Sequence, residues 1–173
     1  MTLIVARQID DEVRIISDTK FTDDLSLRQT LLDGGLKCIV ISPNCCVCFA
    51  GNVSLAEGAL TPILNGTVCG REQIATHLLQ EHKASDGQVD FLVACVRGHI
   101  AIDRIAHNKL ETDLKSAWIG DQPAFDSYQS RYHSSSQSAP PIPEDDWSRT
   151  VSLMNDAFTA VMQDHRHASV GNL

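Results

Sequence analysis

The order of the apolar runs along the chain constrains its fold more than any other feature of the sequence. Six apolar runs fall into three consecutive pairs, and a short polar turn joins the two runs of each pair, so this pattern predicts three antiparallel hairpins. Their strands are residues 2–8 with 13–17, 36–42 with 45–50, and 89–96 with 99–105. Two helices are predicted between the second and third hairpins, and two more near the end of the chain. Segregated strands and helices favour an α+β fold over a βαβ array.

The predicted helices have recognisable ends, and the second has a buried apolar stripe at Ile74, Leu78 and Leu79. Asn52 is the expected N-cap of a first helix that ends near Asn65 and Gly66. The other helices are predicted over about residues 70–83, 123–132 and 144–164, and residues 116–120 form a short strand. Both strands of the second hairpin are almost wholly apolar, which predicts cover on both faces. Two such hairpins indicate a four-layer αββα sandwich, with two antiparallel sheets flanked by helices.

The length of the chain suits one domain. A chain of 173 residues buries roughly 70% of its unfolded surface when it folds as one unit. The serine- and proline-rich stretch at 134–143 is predicted to be a mobile connector within that domain, because too little chain follows it to form a second core. We therefore expect a single domain over residues 1–173.

The charge balance argues against two classes of partner. The chain has 22 acidic and 14 basic residues, for a formal net charge of −8. That balance disfavours nucleic acid and anionic membrane surfaces. No apolar run is long enough to span a membrane, and the apolar start is too short for a signal peptide. A cytoplasmic location is expected.

The cysteines are interpreted as reduced thiols that serve as small apolar core residues. The six are Cys38, Cys45, Cys46, Cys48, Cys69 and Cys95. Cys45 and Cys48 form a C-x-x-C, but on a strand these two side chains point to opposite faces. No second C-x-x-C completes a four-ligand zinc site. The sequence predicts neither a metal nor a cofactor.

The start of the chain, Met1-Thr2-Leu3-Ile4-Val5, combines a nucleophile and a base in one residue. If Met1 is removed, Thr2 has both a hydroxyl group and a free α-amine, whose unperturbed pKa is about 7.7–8. Such an amine is a known activator of a threonine hydroxyl. The alternative is an ordinary first strand in which Thr2 is inert.

Several short motifs together resemble the proteasome β-subunit and HslV-type peptidase superfamily of N-terminal nucleophile (Ntn) hydrolases. The similarity lies in their order along the chain, since each is unspecific by itself. They are residues 1–6 (MTLIVA), 13–19 (VRIISDT), 35–40 (GLKCIV), 49–56 (FAGNVSLA) and 117–120 (AWIG). The resemblance implies an αββα sandwich, in agreement with the layering predicted from the apolar runs.

The resemblance also implies a catalytic role for four residues. Thr2 Oγ would attack a peptide carbonyl while its α-amine accepts the proton. Lys37 would favour the alkoxide and keep the amine neutral, Asp18 would pair with Lys37, and the Gly51 N–H would bind the oxyanion. Each has a plainer alternative: Lys37 as an edge-strand charge, Asp18 as a turn cap, and Gly51 as a tight turn into a helix.

The implied partners are a peptide or unfolded-protein substrate, a homo-oligomeric ring and an ATPase unfoldase. Two other functions remain open. One is a non-catalytic proteasome-like subunit with a structural or regulatory role, and the other is an Ntn amidohydrolase acting on a small amide.

The chain departs from the pattern of that superfamily in three places. Asp121 stands where active members often have a serine, and Ser116, Ser127 or Ser130 could replace it. The loop between the predicted second and third strands is slightly longer than usual. The sequence ends at residue 173, where one or two more strands are expected.

Overall fold

The computed structural model of the protein describes residues 2–18, 37–96, 98–138 and 147–164. These residues form the strands β1 (Leu3–Ile9), β2 (Glu12–Ser17), β3 (Cys38–Ser42), β4 (Cys45–Gly51), β5 (Val89–Cys95), β6 (Ala101–Ala106), β7 (Lys109–Leu114) and β8 (Ser116–Gly120), and the helices α1 (Val53–Leu64), α2 (Arg71–Ala84), α3 (Gln122–Ser138) and α4 (Trp147–Gln163). None of the helices in this part of the chain is long and apolar enough to cross a membrane.

The strands form two antiparallel sheets. One has three strands in the order β2-β1-β8, and the other has five in the order β3-β4-β5-β6-β7. All three predicted hairpins are therefore present. The first strand lies in the middle of the smaller sheet, so the residue that precedes it, Thr2, is held between a strand on either side.

Three separate apolar clusters define four layers. Helices α3 and α4 pack on the smaller sheet through residues that include Leu3, Val5, Tyr128 and Phe158. Helices α1 and α2 pack on the larger sheet through a second cluster, and a third cluster fills the space between the sheets. The predicted α+β fold, a four-layer αββα sandwich, is confirmed.

Helix α1 begins where the sequence predicts. The side chain of Asn52 accepts a hydrogen bond from the Leu55 N–H at 3.2 Å, which satisfies one of the unpaired donors of the first turn. The helix therefore begins immediately after the Gly51–Asn52 corner, which makes that corner a rigid link between β4 and α1.

Helix α3 is longer than predicted. It continues to Ser138, so the prediction of a connector is wrong for residues 134–138. Hydroxyl groups here bond back to the helix: Ser134 Oγ donates to the Ser130 carbonyl at 2.8 Å, and Ser136 Oγ to the His133 carbonyl at 2.9 Å. The rest of the predicted connector, 139–143, lies outside the described residues, as do the loop at 19–36 and the tail at 165–173.

Two strand predictions are also wrong. Strand β7 was not predicted, because its sequence KLETDL is mostly polar, as suits the edge of a sheet. Strand β3 was expected to be covered on both faces, but it forms the opposite edge of the larger sheet and leaves Val40 73% exposed. Its partner β4 is the buried strand of that hairpin.

Candidate active site

Thr2 lies at the start of β1 and is fixed there by its backbone. Its carbonyl accepts a hydrogen bond from the Asp121 N–H at 2.7 Å. Gly120 lies so close to the Thr2 backbone that a Cβ atom built on it would lie 1.7 Å from the Thr2 carbonyl oxygen, and the φ of Gly120 is +106°. Only glycine permits this approach. Thr2 is 6% exposed. Met1 lies outside the described residues, so its removal stays a prediction.

Lys37 reaches Thr2 from the other sheet. Its Nζ lies 2.5 Å from Thr2 Oγ1, and the residue is only 2% exposed. Its carbonyl accepts from the Phe49 N–H at 3.0 Å, which ties this residue to β4 just before β3 begins. The two sheets thus bring together two residues that are 35 positions apart in the sequence.

Asp18 completes the group. Its two carboxylate oxygens accept hydrogen bonds from Lys37 Nζ at 3.0 and 2.9 Å, and the residue is 1% exposed. Backbone bonds hold it beside β1: the Asp18 N–H donates to the Leu3 carbonyl at 3.2 Å, and Asp18 Oδ1 accepts from the Leu3 N–H at 3.3 Å. Asp18 therefore orients Lys37 toward the Thr2 hydroxyl.

Opposing effects act on the proton of Lys37. Burial lowers its pKa below the usual value and is the largest effect, while the negative charge of Asp18 and the hydrogen bonds to Asp18 raise it. A buried cation is costly unless it is paired. The arrangement thus places a paired positive charge against a threonine hydroxyl.

Gly51 lies at the corner between β4 and α1. Its φ is +116°, and a Cβ atom built on it would lie 2.1 Å from the Gln88 carbonyl oxygen, so the corner requires glycine. The preceding Ala50 packs between the sheets in the same cluster as Ile4. The hydrogen bonds that join Thr2, Lys37 and Asp18 do not include Gly51. The plainer interpretation as a tight turn therefore has direct support, and the oxyanion role stays a prediction.

Asp121 has a structural role at the position of the expected serine. Its Oδ1 accepts a hydrogen bond from the Ala124 N–H at 2.9 Å, and its carbonyl accepts from the Phe125 N–H at 3.0 Å, so it caps α3. Ser116 pairs with Arg7 at the far end of β1, five residues and therefore about 16 Å from Thr2. Ser116 is too distant to replace the serine.

A cavity of about 570 Å³ lies on the face of the larger sheet that packs against α1 and α2, which is the face turned away from the smaller sheet. Its lining includes Ile41, Cys45, Ile63, Arg71 and His99, and none of the four predicted catalytic residues. The cavity is therefore separate from the site at Thr2.

The structure also brings three cysteine side chains close together, which the sequence did not predict. Cys45 and Cys48 do point to opposite faces of β4, as predicted, because they belong to different apolar clusters. The Sγ atoms of Cys38, Cys46 and Cys48, however, all lie within 4.8 Å of one another. The C-x-x-C spacing does not indicate this cluster, which depends instead on the pairing of β3 with β4.

Comparison with known proteins identifies the fold. No family model and no curated protein matches the sequence. Among solved structures, the Gly-1 mutant of Anbu from Hyphomicrobium sp. strain MC1 matches with a TM-score of 0.69 and 14% identity, covering 99% of this chain and 78% of that one. Anbu has a proteasome-like Ntn fold. This chain has an Ntn-hydrolase-like fold.

The assignment to the proteasome β-subunits and HslV-type peptidases is wrong, because the solved structure that this chain resembles is an Anbu protein, and Anbu forms a distinct branch of the Ntn superfamily. The five motifs mark strand starts and turns that belong to the fold, such as the beginning of β1 and the β4–α1 corner, so they do not separate one branch from another. The peptide substrate, the ring and the unfoldase implied by that assignment stay predictions.

Proposed function

We propose that this protein is a threonine-type N-terminal nucleophile hydrolase that cleaves amide bonds, with Thr2 as the nucleophile after the Met1–Thr2 bond has been cleaved. The observation that carries the proposal is the 2.5 Å distance between Lys37 Nζ and Thr2 Oγ1. Asp18 holds that ammonium group from its other side. A threonine with a free α-amine then needs no histidine to activate its hydroxyl.

The reaction has two chemical stages. The Thr2 hydroxyl attacks the amide carbonyl and passes its proton to the α-amine, directly or through a water molecule, and the Gly51 N–H donates to the oxyanion. The tetrahedral intermediate then breaks its C–N bond, and the departing amine takes the proton from the α-ammonium group. Water hydrolyses the resulting ester and frees Thr2. The Lys37 cation stabilises the Thr2 alkoxide and the oxyanion of the tetrahedral intermediate, and it lowers the pKa of the nearby α-amine.

The cost of the buried ion pair supports a catalytic role over a purely structural one. A buried pair is often no more stabilising than apolar residues of the same volume, and Lys37 is among the largest fully buried side chains described. A non-catalytic subunit gains nothing from aiming this cation at a threonine hydroxyl. A threonine nucleophile, in contrast, gains stabilisation of its alkoxide from a cation placed there.

The N-terminus provides the test of this proposal. We expect protein with an exposed Thr2 amine to hydrolyse members of a panel of fluorogenic peptides and small amides, and protein with Met1 retained and acetylated to hydrolyse none. The thermal midpoint of both forms checks that they are folded. Turnover of short peptides but not of small amides favours a peptidase, and the reverse favours an amidohydrolase. Equal turnover by the two forms would refute the proposal.

Replacing Asp18 is expected to change the pH dependence of this activity. In Asp18→Asn the charge that raises the pKa of Lys37 is lost while its burial remains, so the pKa falls further below the usual value. Because Lys37 acts as a cation, the alkaline limb of kcat/KM against pH moves to lower pH. The matched control is Asp86→Asn, on an exposed turn with a φ of +55° that asparagine also adopts. An unmoved alkaline limb in Asp18→Asn would contradict this role.

A further inference from the structure

The pairing of β3 with β4 gathers three cysteines on one face of the larger sheet. Cys38 lies opposite Cys48, and Val40 lies opposite Cys46. Cys46 and Cys48 are two residues apart and so project from the same face of their strand. We refer to Cys38, Cys46 and Cys48, whose Sγ atoms all lie within 4.8 Å of one another, as the thiol cluster.

The thiol cluster lies between the sheets but near an edge. Cys48 is buried in the apolar cluster between the sheets, and Cys38 packs against that cluster while partly exposed. Cys46 is also partly exposed, and β3 is the edge strand. A small ion can therefore reach the sulfurs from the edge of the sheet, while Cys48 anchors the site in an apolar surrounding.

We propose that the thiol cluster binds one thiophilic d¹⁰ cation, Zn²⁺ or Cu(I). Thiolate sulfur is the ligand that these ions select. An ion about 2.3 Å from each of three sulfurs holds them about 4 Å apart, and the cluster already has its sulfurs within 4.8 Å. Small side-chain rotations complete the site.

The donor set determines how the two ions bind. Among the described residues, no histidine nitrogen or carboxylate oxygen joins the three sulfurs. Cu(I) is then held by three thiolates alone, and Zn²⁺ takes a water molecule as its fourth ligand. Each ligating thiol releases its proton to solvent on binding.

Binding has a structural consequence for the hairpin. The cation cross-links β3, which among the described strands pairs with β4 alone, to that buried strand. Cys38 directly follows Lys37 in the sequence, so the cross-link would lie next to the candidate active site. Metal occupancy is therefore expected to raise the thermal midpoint of unfolding, since an ion that binds only the folded state stabilises it. This readout does not depend on hydrolase activity.

The experiment is a titration of the reduced, metal-free protein with Zn²⁺ or Cu(I) under anaerobic conditions with a non-thiol reductant, in competition with a chromophoric chelator. We expect one equivalent to bind and the thermal midpoint to rise. Cys46→Ser is expected to weaken binding at least about tenfold, because even partners outside the ligand shell change metal affinity by about 10- to 100-fold. The two titrations distinguish zinc from copper.

Two control variants test whether the thiols outside the thiol cluster contribute to metal binding. The Cys45 and Cys95 sulfurs lie 2.8 Å apart on the opposite face of the sheet, and Cys69 is exposed. The double variant Cys45→Ser/Cys95→Ser and the variant Cys69→Ser are expected to bind like the wild type. Binding that is lost in the double variant but kept in Cys46→Ser would overturn the proposal, as would the absence of binding by the wild type.

Alkylation of the wild type provides a second measurement in case Cys46→Ser does not fold. Metal is expected to slow the alkylation of Cys38 and Cys46 and to leave that of Cys69 unchanged, as mapped by peptide mass spectrometry. Equal alkylation with and without metal at Cys38 and Cys46 would reject the site without any variant.

Discussion

Alanine at position 2 is expected to lower kcat/KM for amide hydrolysis by about 10⁴-fold or more, because the substitution removes the nucleophile itself. The effect should appear almost wholly in the chemical step, since the methyl-sized side chain leaves the carbonyl of residue 2 bonded to the Asp121 N–H. Steady-state kinetics of wild type and Thr2→Ala on the best substrate of the panel measure it.

Two further variants make this result specific. Thr2→Ser keeps a hydroxyl beside Lys37 and is expected to retain measurable turnover. Thr61→Ala removes an exposed threonine hydroxyl that donates to the Glu57 carbonyl within α1, at 2.8 Å, and should hydrolyse like the wild type. Unchanged turnover in Thr2→Ala would exclude Thr2 as the nucleophile, whatever the behaviour of the controls.

The second large effect is expected at Gly120, where alanine should cost about 2–6 kcal/mol in the free energy of unfolding. A Cβ there meets the Thr2 carbonyl oxygen at 1.7 Å, and two backbones must separate to admit it. Overpacking typically costs about 1–3 kcal/mol, and the φ of +106° adds backbone strain of about 1–3 kcal/mol. Urea unfolding measures the difference. Because the displaced group is Thr2, hydrolysis should fall together with stability.

Gly58→Ala is the matched control for Gly120→Ala. Gly58 lies on the exposed side of α1, and a Cβ atom built on it would meet nothing within 4 Å. Alanine there should stabilise the helix by roughly 0.5–1 kcal/mol, because glycine loses more backbone freedom on folding. If both variants unfolded at the same urea concentration, the tight approach of Gly120 to Thr2 would be disproved.

The parts of the fold that depend on local chemistry could be predicted from the sequence. Alternating apolar runs with polar turns identified the three hairpins, and Asn52 identified the start of α1. The meeting of Thr2, Asp18 and Lys37 could not be derived from any local pattern, since it depends on how two sheets face each other. That expectation came from resemblance, and the same resemblance led to a wrong family assignment.

The thiol cluster shows why register limits prediction. A two-residue turn at 43–44 pairs Ser42 with Cys45, and an undisturbed ladder would then place Cys38 opposite Phe49. The pairing instead shifts by one residue between Val40 and Ser42. A shift of this kind moves side chains relative to their partners, and here it brings Cys38 opposite Cys48. Nothing in the composition of β3 indicates the shift.

A polar strand and a helix cap account for most of the other differences between the predicted and the observed fold. Strand β7 forms because β6 offers an open edge, although its own sequence is mostly polar. Asp121 was considered only as a departure from a serine, yet its carboxylate caps α3. Both depend on what a neighbouring element leaves unpaired, which one-dimensional patterns do not contain.

The most direct test of the account is a peptide map of the wild-type protein after brief reaction with an activated acyl ester. The account predicts that the N-terminal peptide begins at Thr2 and carries the acyl group as an ester that hydroxylamine removes, and that Thr2→Ala carries no such ester. An N-terminal peptide that still begins with Met1 in hydrolytically active protein, or an acyl group that maps to another residue while Thr2 remains unmodified, would contradict it.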